Sequence, residues 1–302
     1  MRIQTVVTSP PYWGMRDYGV DGQIGLEASL AEYVAALVHV LGLVRVLLSD
    51  DGTLWLNLGD AYATSHQGGS QGATGQRAGR QFTAPTYIRN RAAAAGVKRK
   101  DLLGVPWRVA FELQEQGWYL RQEIIWHKPN PTPESAKDRF IRSHEQVFLL
   151  SKCEHYHFDA DAVAEPSVGG LAGVAEDPCG GQRPTASLFG ASVRGHLDSA
   201  RALAMLQQVT RRRRSVWTIP TARGDSEHHA TFPAALVELC VLAGSRPGDI
   251  VFDPFMGLGT VAQVAQRLGR RWLGCEINER YIARQRGRTA QAGLELTIPR
   301  SA

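Results

Sequence analysis

Two short segments carry residue types that could do chemistry together. The first is Thr8-Ser9-Pro10-Pro11-Tyr12-Trp13. Consecutive prolines fix the backbone and remove two N–H donors. Carbonyls there are left to accept hydrogen bonds from an amino group, and the Ser9 hydroxyl adds another acceptor. Tyr12 offers an aromatic face on which a planar ring can stack. An exocyclic amine on such a ring is a poor nucleophile, because its lone pair is delocalised. Acceptors around it favour pyramidal geometry and take up developing positive charge. Taken alone, the segment also reads as a turn that ends a strand.

The second segment is Asp253-Pro254-Phe255-Met256-Gly257-Leu258-Gly259-Thr260. Its glycines permit a tight turn and close approach of a ligand to the backbone. A helix opening at Thr260 presents partial positive charge. Glu276 closes the next expected strand, where a carboxylate can accept from ribose hydroxyls. Gly257-x-Gly259-x-x-Ala262 also fits a dinucleotide fingerprint, with Glu276 near the expected spacing. An ordinary tight turn is a third reading. Asp253 tilts the choice: a carboxylate there repels a pyrophosphate and suits a cationic amino group.

The elements that must position these segments follow from pattern. Ile3–Thr8 is a β-branched run stopped by prolines, read as a buried strand. Residues 29–48 carry apolar positions at helical spacing, with Ser29 as N-cap. Residues 50–52 read as a turn and 53–58 as a second strand. Residues 63–100 are rich in Gly, Gln, Ala and Arg and are expected to form a long mobile loop. Residues 105–116 read as a helix, and 119–127 and 146–150 as strands. Residues 155–215 lose the pattern and read as an insert. After it come a helix (233–243), a strand (250–252), the glycine turn, a helix (260–268) and a strand (271–275). A strand, helix, strand alternation predicts an α/β domain with parallel pairing.

The chain has 302 residues, enough for one α/β domain carrying a small insert, and a net charge of +5. That balance is compatible with a polyanionic partner without requiring one. Four cysteines, Cys153, Cys179, Cys240 and Cys275, form no C-x-x-C pair, so no disulfide framework is expected and a cytoplasmic setting fits. Cys153, His155 and His157 alternate at strand spacing, but with Cys179 they match no standard zinc module, and no metal is expected. The apolar stretch at residues 37–48 is interrupted by His39, Gly42 and Arg45, so no membrane span is expected.

Together the two segments resemble the amino-group DNA methyltransferases of the N4-cytosine/N6-adenine type. Ser9-Pro10-Pro11-Tyr12 is similar to their (D/N/S)-P-P-(Y/F/W) motif, and Phe255-Met256-Gly257-Leu258-Gly259 to their F-x-G-x-G motif. The catalytic motif comes first, which resembles the β-class order. Residues 53–62 and 126–131 resemble strands on the catalytic side. His229-Ala230-Thr231-Phe232-Pro233 resembles the segment that helps enclose S-adenosylmethionine (SAM).

The resemblance implies a Rossmann-like, seven-stranded SAM-binding sheet with one antiparallel strand and a small target-recognition insert. It implies a catalytic half (1–154), a target-recognition region (155–215) and a SAM-binding half (216–302). Ser9, Pro10, Pro11 and Tyr12 would hold a base flipped from double-stranded DNA. Asp253, Pro254, Phe255, Gly257, Gly259 and Thr260 would line the SAM site. Glu276 would bind the ribose, and Phe232 with Pro233 would close the pocket. Asp60 and Lys128 are further candidates, against a reading in which they only cap or pair. No cysteine nucleophile is needed.

In that family, Ser in the first motif position goes mainly with N4-cytosine enzymes and Asp mainly with N6-adenine enzymes. Cytosine N4 is therefore favoured, with adenine N6 the alternative; a nicotinamide-dependent oxidoreductase and an inactive DNA-binding module are further alternatives. Arg16, Arg77, Arg80, Arg99, Lys100 and the run Arg211, Arg212, Arg213 and Arg214 are candidate phosphate contacts, or else a solvated face. The resemblance admits a homodimer and a cognate restriction endonuclease as partners.

Overall fold

The computed structural model describes residues 2–63, 91–166, 210–221 and 233–289. In chain order they form β1 (Ile3–Thr8), α1 (Leu30–Leu47), β2 (Leu48–Leu58), α2 (Arg91–Ala95), α3 (Val105–Glu115), β3 (Tyr119–His127) and β4 (His144–Ser151). Then come β5 (Glu165–Pro166), β6 (Thr210–Arg211), β7 (Val216–Thr218), α4 (Ala234–Gly244), β8 (Ile250–Asp253), α5 (Thr260–Arg267), β9 (Arg271–Gly274) and α6 (Glu279–Arg288).

Seven strands make one sheet in the order β7-β3-β4-β2-β1-β8-β9. β4 runs antiparallel to both β2 and β3, and the other pairings are parallel. This is the expected α/β sheet with one reversed strand. All six residues of β1 are buried, as befits a central strand covered on both faces.

α1 opens with a capping box: Glu32 N–H donates to Ser29 Oγ at 3.2 Å, and Ser29 N–H donates back to Glu32 at 3.0 Å. It is long and apolar enough to cross a membrane by length and composition alone. Here Leu30, Tyr33, Leu37, Val38, Leu41 and Val44 form one face buried in the core with Val6, Leu54, Leu56 and Phe148. Each such side chain contributes about 1.5–3 kcal/mol by leaving water.

The expected turn at residues 50–52 is instead part of β2, which begins directly where α1 ends. The pairing with β1 slips there, between Ile3 and Thr5, so the Asp and Gly residues occupy an irregularity in the ladder rather than a turn. Within the expected loop at 63–100, residues 64–90 lie outside the described part. Its end is anchored: Ala92 is buried, the Lys100 N–H donates to the Ala63 carbonyl, and the Ala63 N–H donates to the Asp101 carbonyl.

The chain divides into two compact units, Met1–Asp159 with Ser215–Ala302, and Ala160–Arg214. In the second, β5 and β6 pair antiparallel.

Candidate active site

β1 and β8 are parallel neighbours, in register at Thr5–Val251 and Val6–Phe252. The segments that follow them therefore leave the sheet at the same edge, where open α/β sheets place their ligands. Thr8 donates its hydroxyl to Asp253 Oδ1 at 2.7 Å. The same oxygen accepts the Phe255 N–H at 3.0 Å, which folds the turn after β8 back on itself. Asp253 is only 2% exposed. Burial pushes its carboxyl up to about 7, against the opposing pull of the Thr8 and Phe255 hydrogen bonds.

Gly257 (φ 52°) and Gly259 (φ 82°) both adopt the left-handed conformation, which glycine enters without steric cost. Glu276 braces this turn. Its Oε2 accepts the Gly257 N–H at 2.7 Å and its Oε1 the Asn278 N–H at 2.8 Å. Burial raises the Glu276 pKa, and these backbone donors oppose the rise.

One cavity of about 450 Å³ is walled by both segments: Ser9 and Pro11 from the first, and Pro254, Phe255, Gly257 and Thr260 from the second, with Glu276 beside them. Arg16 also lines it, its guanidinium 5.9 Å from the Tyr18 ring centroid. Pro10, Tyr12, Asp253 and Gly259 do not line it. Pro233 is the buried N-cap of α4. Phe232, Arg77 and Arg80 lie outside the described residues.

Behind Ser9 lies a compact polar network. Tyr12 donates its hydroxyl to Glu145 Oε2 at 2.8 Å. Asn57 Nδ2 lies 2.9 Å from the Tyr12 hydroxyl, 3.0 Å from Glu145 Oε2 and 3.2 Å from Ser9 Oγ. Lys128 pairs with the other Glu145 oxygen, and its ammonium sits 4.3 Å from the Trp126 ring centroid. Burial, followed by the Glu145 charge, raises the Tyr12 pKa well above the ordinary tyrosine value, so the phenol stays protonated. The ring is pressed against Gly59, where an added Cβ would fall 2.6 Å from Tyr12 Cε2.

Asn57 and Glu145 do not stand out in the sequence. Asn57 interrupts the apolar run of β2, and Glu145 lies one residue ahead of the expected start of β4; a polar residue at such a strand end is the signal available. Lys128 joins the network. Asp60 does not: its carboxylate accepts the N–H groups of Ala61, Gly104 and Val105 at 2.9–3.1 Å, satisfying donors where α3 begins.

The cationic candidates divide. Arg99 and Arg212 are exposed. Lys100 pairs with Asp138 at 2.5 Å. Arg211, Arg213 and Arg214 gather on Glu165, at 3.0, 3.9 and 3.3 Å. Burial of Glu165 raises its pKa, but the arginines outweigh that and hold it low. Three members of the run thus have a structural partner within their own unit. Among the described residues no cluster of His, Cys, Asp and Glu is arranged to hold a metal.

Residues 3–285 match the N6_N4_Mtase family model, described as DNA methylase. The chain belongs to this DNA methylase family. The methylase is 41% identical over 287 residues to the type II methyltransferase M.Cfr9I of Citrobacter freundii, across 93% of this chain and 79% of that protein. It is 44% identical over 278 residues to M.SmaI of Serratia marcescens, across 92% and 81%. Among solved structures, the PvuII DNA methyltransferase (cytosine-N4-specific) superposes with a TM-score of 0.59 at 20% identity, covering 99% of this chain and 82% of that one. A putative DNA modification methylase from Thermus thermophilus, TTHA0409, complexed with S-adenosyl-L-methionine, gives 0.53 at 23% identity, covering 95% and 85%. At those identities the likeness establishes the shared fold.

Proposed function

We propose that the methylase uses SAM to methylate the exocyclic N4 of a cytosine flipped out of duplex DNA. The observation that carries this reading is the shared cavity walled by Ser9, the Phe255–Gly257 turn and Glu276. The donor set suits SAM. Both Glu276 oxygens are aimed by backbone N–H groups yet keep lone pairs for ribose hydroxyls. Pro254, Phe255 and Ile277 give apolar walls for an adenine ring. When bound, the cofactor supplies a methyl group activated on a cationic sulfur. Asp253 shapes the turn by accepting the Thr8 hydroxyl and the Phe255 N–H.

The chain's own residues receive the base. Ser9 Oγ takes one hydrogen from Asn57 and lies 3.4 Å from the Tyr12 oxygen, whose own hydrogen goes to Glu145, so the serine hydrogen points to Tyr12 and a serine lone pair is kept for the amine. The Pro10 carbonyl adds an acceptor free of competition from neighbouring N–H groups. Gly59 leaves room for the Tyr12 ring, whose face is proposed to stack on the base. Glu145 and Lys128 fix the phenol so that this face does not rotate. Ser rather than Asp in the first motif position favours cytosine over adenine. Exposed cations such as Arg99 and Arg212 are proposed to meet DNA phosphates.

Nucleoside mass spectrometry of DNA from cells expressing the chain tests this directly. N4-methylcytosine is the expected product. N6-methyladenine would transfer the reading to the other amine, and the absence of both products would overturn it.

A further inference from the structure

The connection between β3 and β4 leaves and returns at the candidate site. Its neck is closed by the Lys128 N–H donating to the Ser143 carbonyl at 2.7 Å, next to the His127–His144 pair where the two strands meet. Between these points stands Phe140, 98% exposed, followed by Ile141, 52% exposed. Two adjacent apolar side chains, one of them wholly in water, are thus available to a partner at this place.

The backbone that carries it is held firmly. On one side, the Arg139 guanidinium stacks 3.7 Å from the Tyr62 ring centroid and bonds to Glu134 at 2.5 Å. On the other, Arg142 lies 3.7 Å from the Asp60 carboxylate. Tyr62 and Asp60 both follow the end of β2, close to the Gly59 that supports Tyr12. The phenyl ring is thus presented at the same edge as the candidate base pocket, on a strut that does not need to form. Lys137 nearby in the chain adds positive charge, which suits a polyanion.

Resting on the reading that a base is flipped from the duplex, we propose that Phe140 is a wedge that enters the DNA and fills the space the target base leaves. Extruding a base breaks its stacking and pairing, and an apolar side chain inserted in its place restores contact with the neighbouring bases. Aromatic rings do this without sequence preference, since every base has a π-face.

Phe140→Ala tests the proposal, because truncating an exposed ring leaves the core intact. Two duplexes carry the target sequence mapped from DNA of expressing cells. In one the target base is paired; in the other it stands opposite an abasic position, where it is already loosened. On the paired duplex kcat/KM is expected to fall roughly 5- to 150-fold, the range for losing one aromatic–base stack. On the abasic duplex the fall is expected to stay under about 3-fold, and Phe140→Trp to keep near-parental rates on both. An equal loss on both duplexes, or no loss on the paired one, overturns the wedge. Failure of the unaltered protein to methylate either duplex instead overturns the underlying reading of its function.

Discussion

Thr8 Oγ1 and Asp253 Oδ1 meet at 2.7 Å although 245 positions separate them in sequence. The bond ties the last residue of β1 to the last residue of β8, and so ties the two chemical segments to one edge. It also places a carboxyl where water cannot reach it. Asp253 titrates near 7 in the folded chain, against about 3.9 when unfolded. Between those values the folded state holds a proton that the unfolded state has released. This group's contribution to stability is therefore greatest below about pH 4 and is lost as pH rises towards 7. Urea midpoints of the cofactor-free protein from pH 5 to 8 should fall more steeply for the parent than for Asp253→Asn. Parallel curves would show that Asp253 is ionised throughout.

Glu276 is oriented by two backbone donors before any ligand arrives. Glu276→Ala removes charge-assisted acceptors, each contributing about 1.5–3 kcal/mol. SAM affinity by titration calorimetry should weaken about 10- to 100-fold. An unchanged dissociation constant would remove Glu276 from the cofactor site.

Ser9 lines the shared cavity and its hydroxyl is the one side-chain group it can offer there. Ser9→Ala should lower kcat by about 10²-fold, the scale of losing one preorganised polar partner. SAM affinity should hold, since the proposed ribose contacts lie with Glu276. Loss of SAM affinity in proportion to the loss of kcat would reassign Ser9 to cofactor binding.

Glu145 carries three donors in a half-buried place: the Tyr12 hydroxyl, the Asn57 amide and the Lys128 ammonium. Glu145→Ala leaves Lys128 with no counter-charge and should cost about 3 kcal/mol in denaturant unfolding. The pair change Glu145→Leu with Lys128→Met should recover most of that stability while turnover stays low, because Tyr12 remains unpinned. Restored turnover in the double variant would make the network purely structural.

Much of the sheet is legible in the sequence because its strands are short apolar runs with sharp stops. Ser9-Pro10-Pro11 ends β1 and the glycine turn ends β8, so both chemical segments read as strand ends. Ser29 with Glu32 announces α1. What escapes notice depends on neighbours across the sheet. Asp50-Asp51-Gly52 has the composition of a turn, yet pairing with β1 on either side draws it into a strand. Glu145 is a polar residue at the start of a strand, and only its place opposite Tyr12 gives it meaning. Asp60 and Asp253 are both carboxylates near turns. One is spent on the start of a helix, and the other is buried at the end of β8.

The adjacency of β1 and β8 also governs how the molecule is made. A ribosome adding 5–20 residues each second would take roughly 12 to 50 s to travel from one partner to the other. Throughout that interval β1 has β2 on one flank and an unpaired row of backbone donors and acceptors on the other. Nascent chains are thus most prone to stick to one another before β8 emerges. Newly made molecules acquire a complete cofactor cavity only after the residues around Glu276 have followed those around Ser9 out of the ribosome.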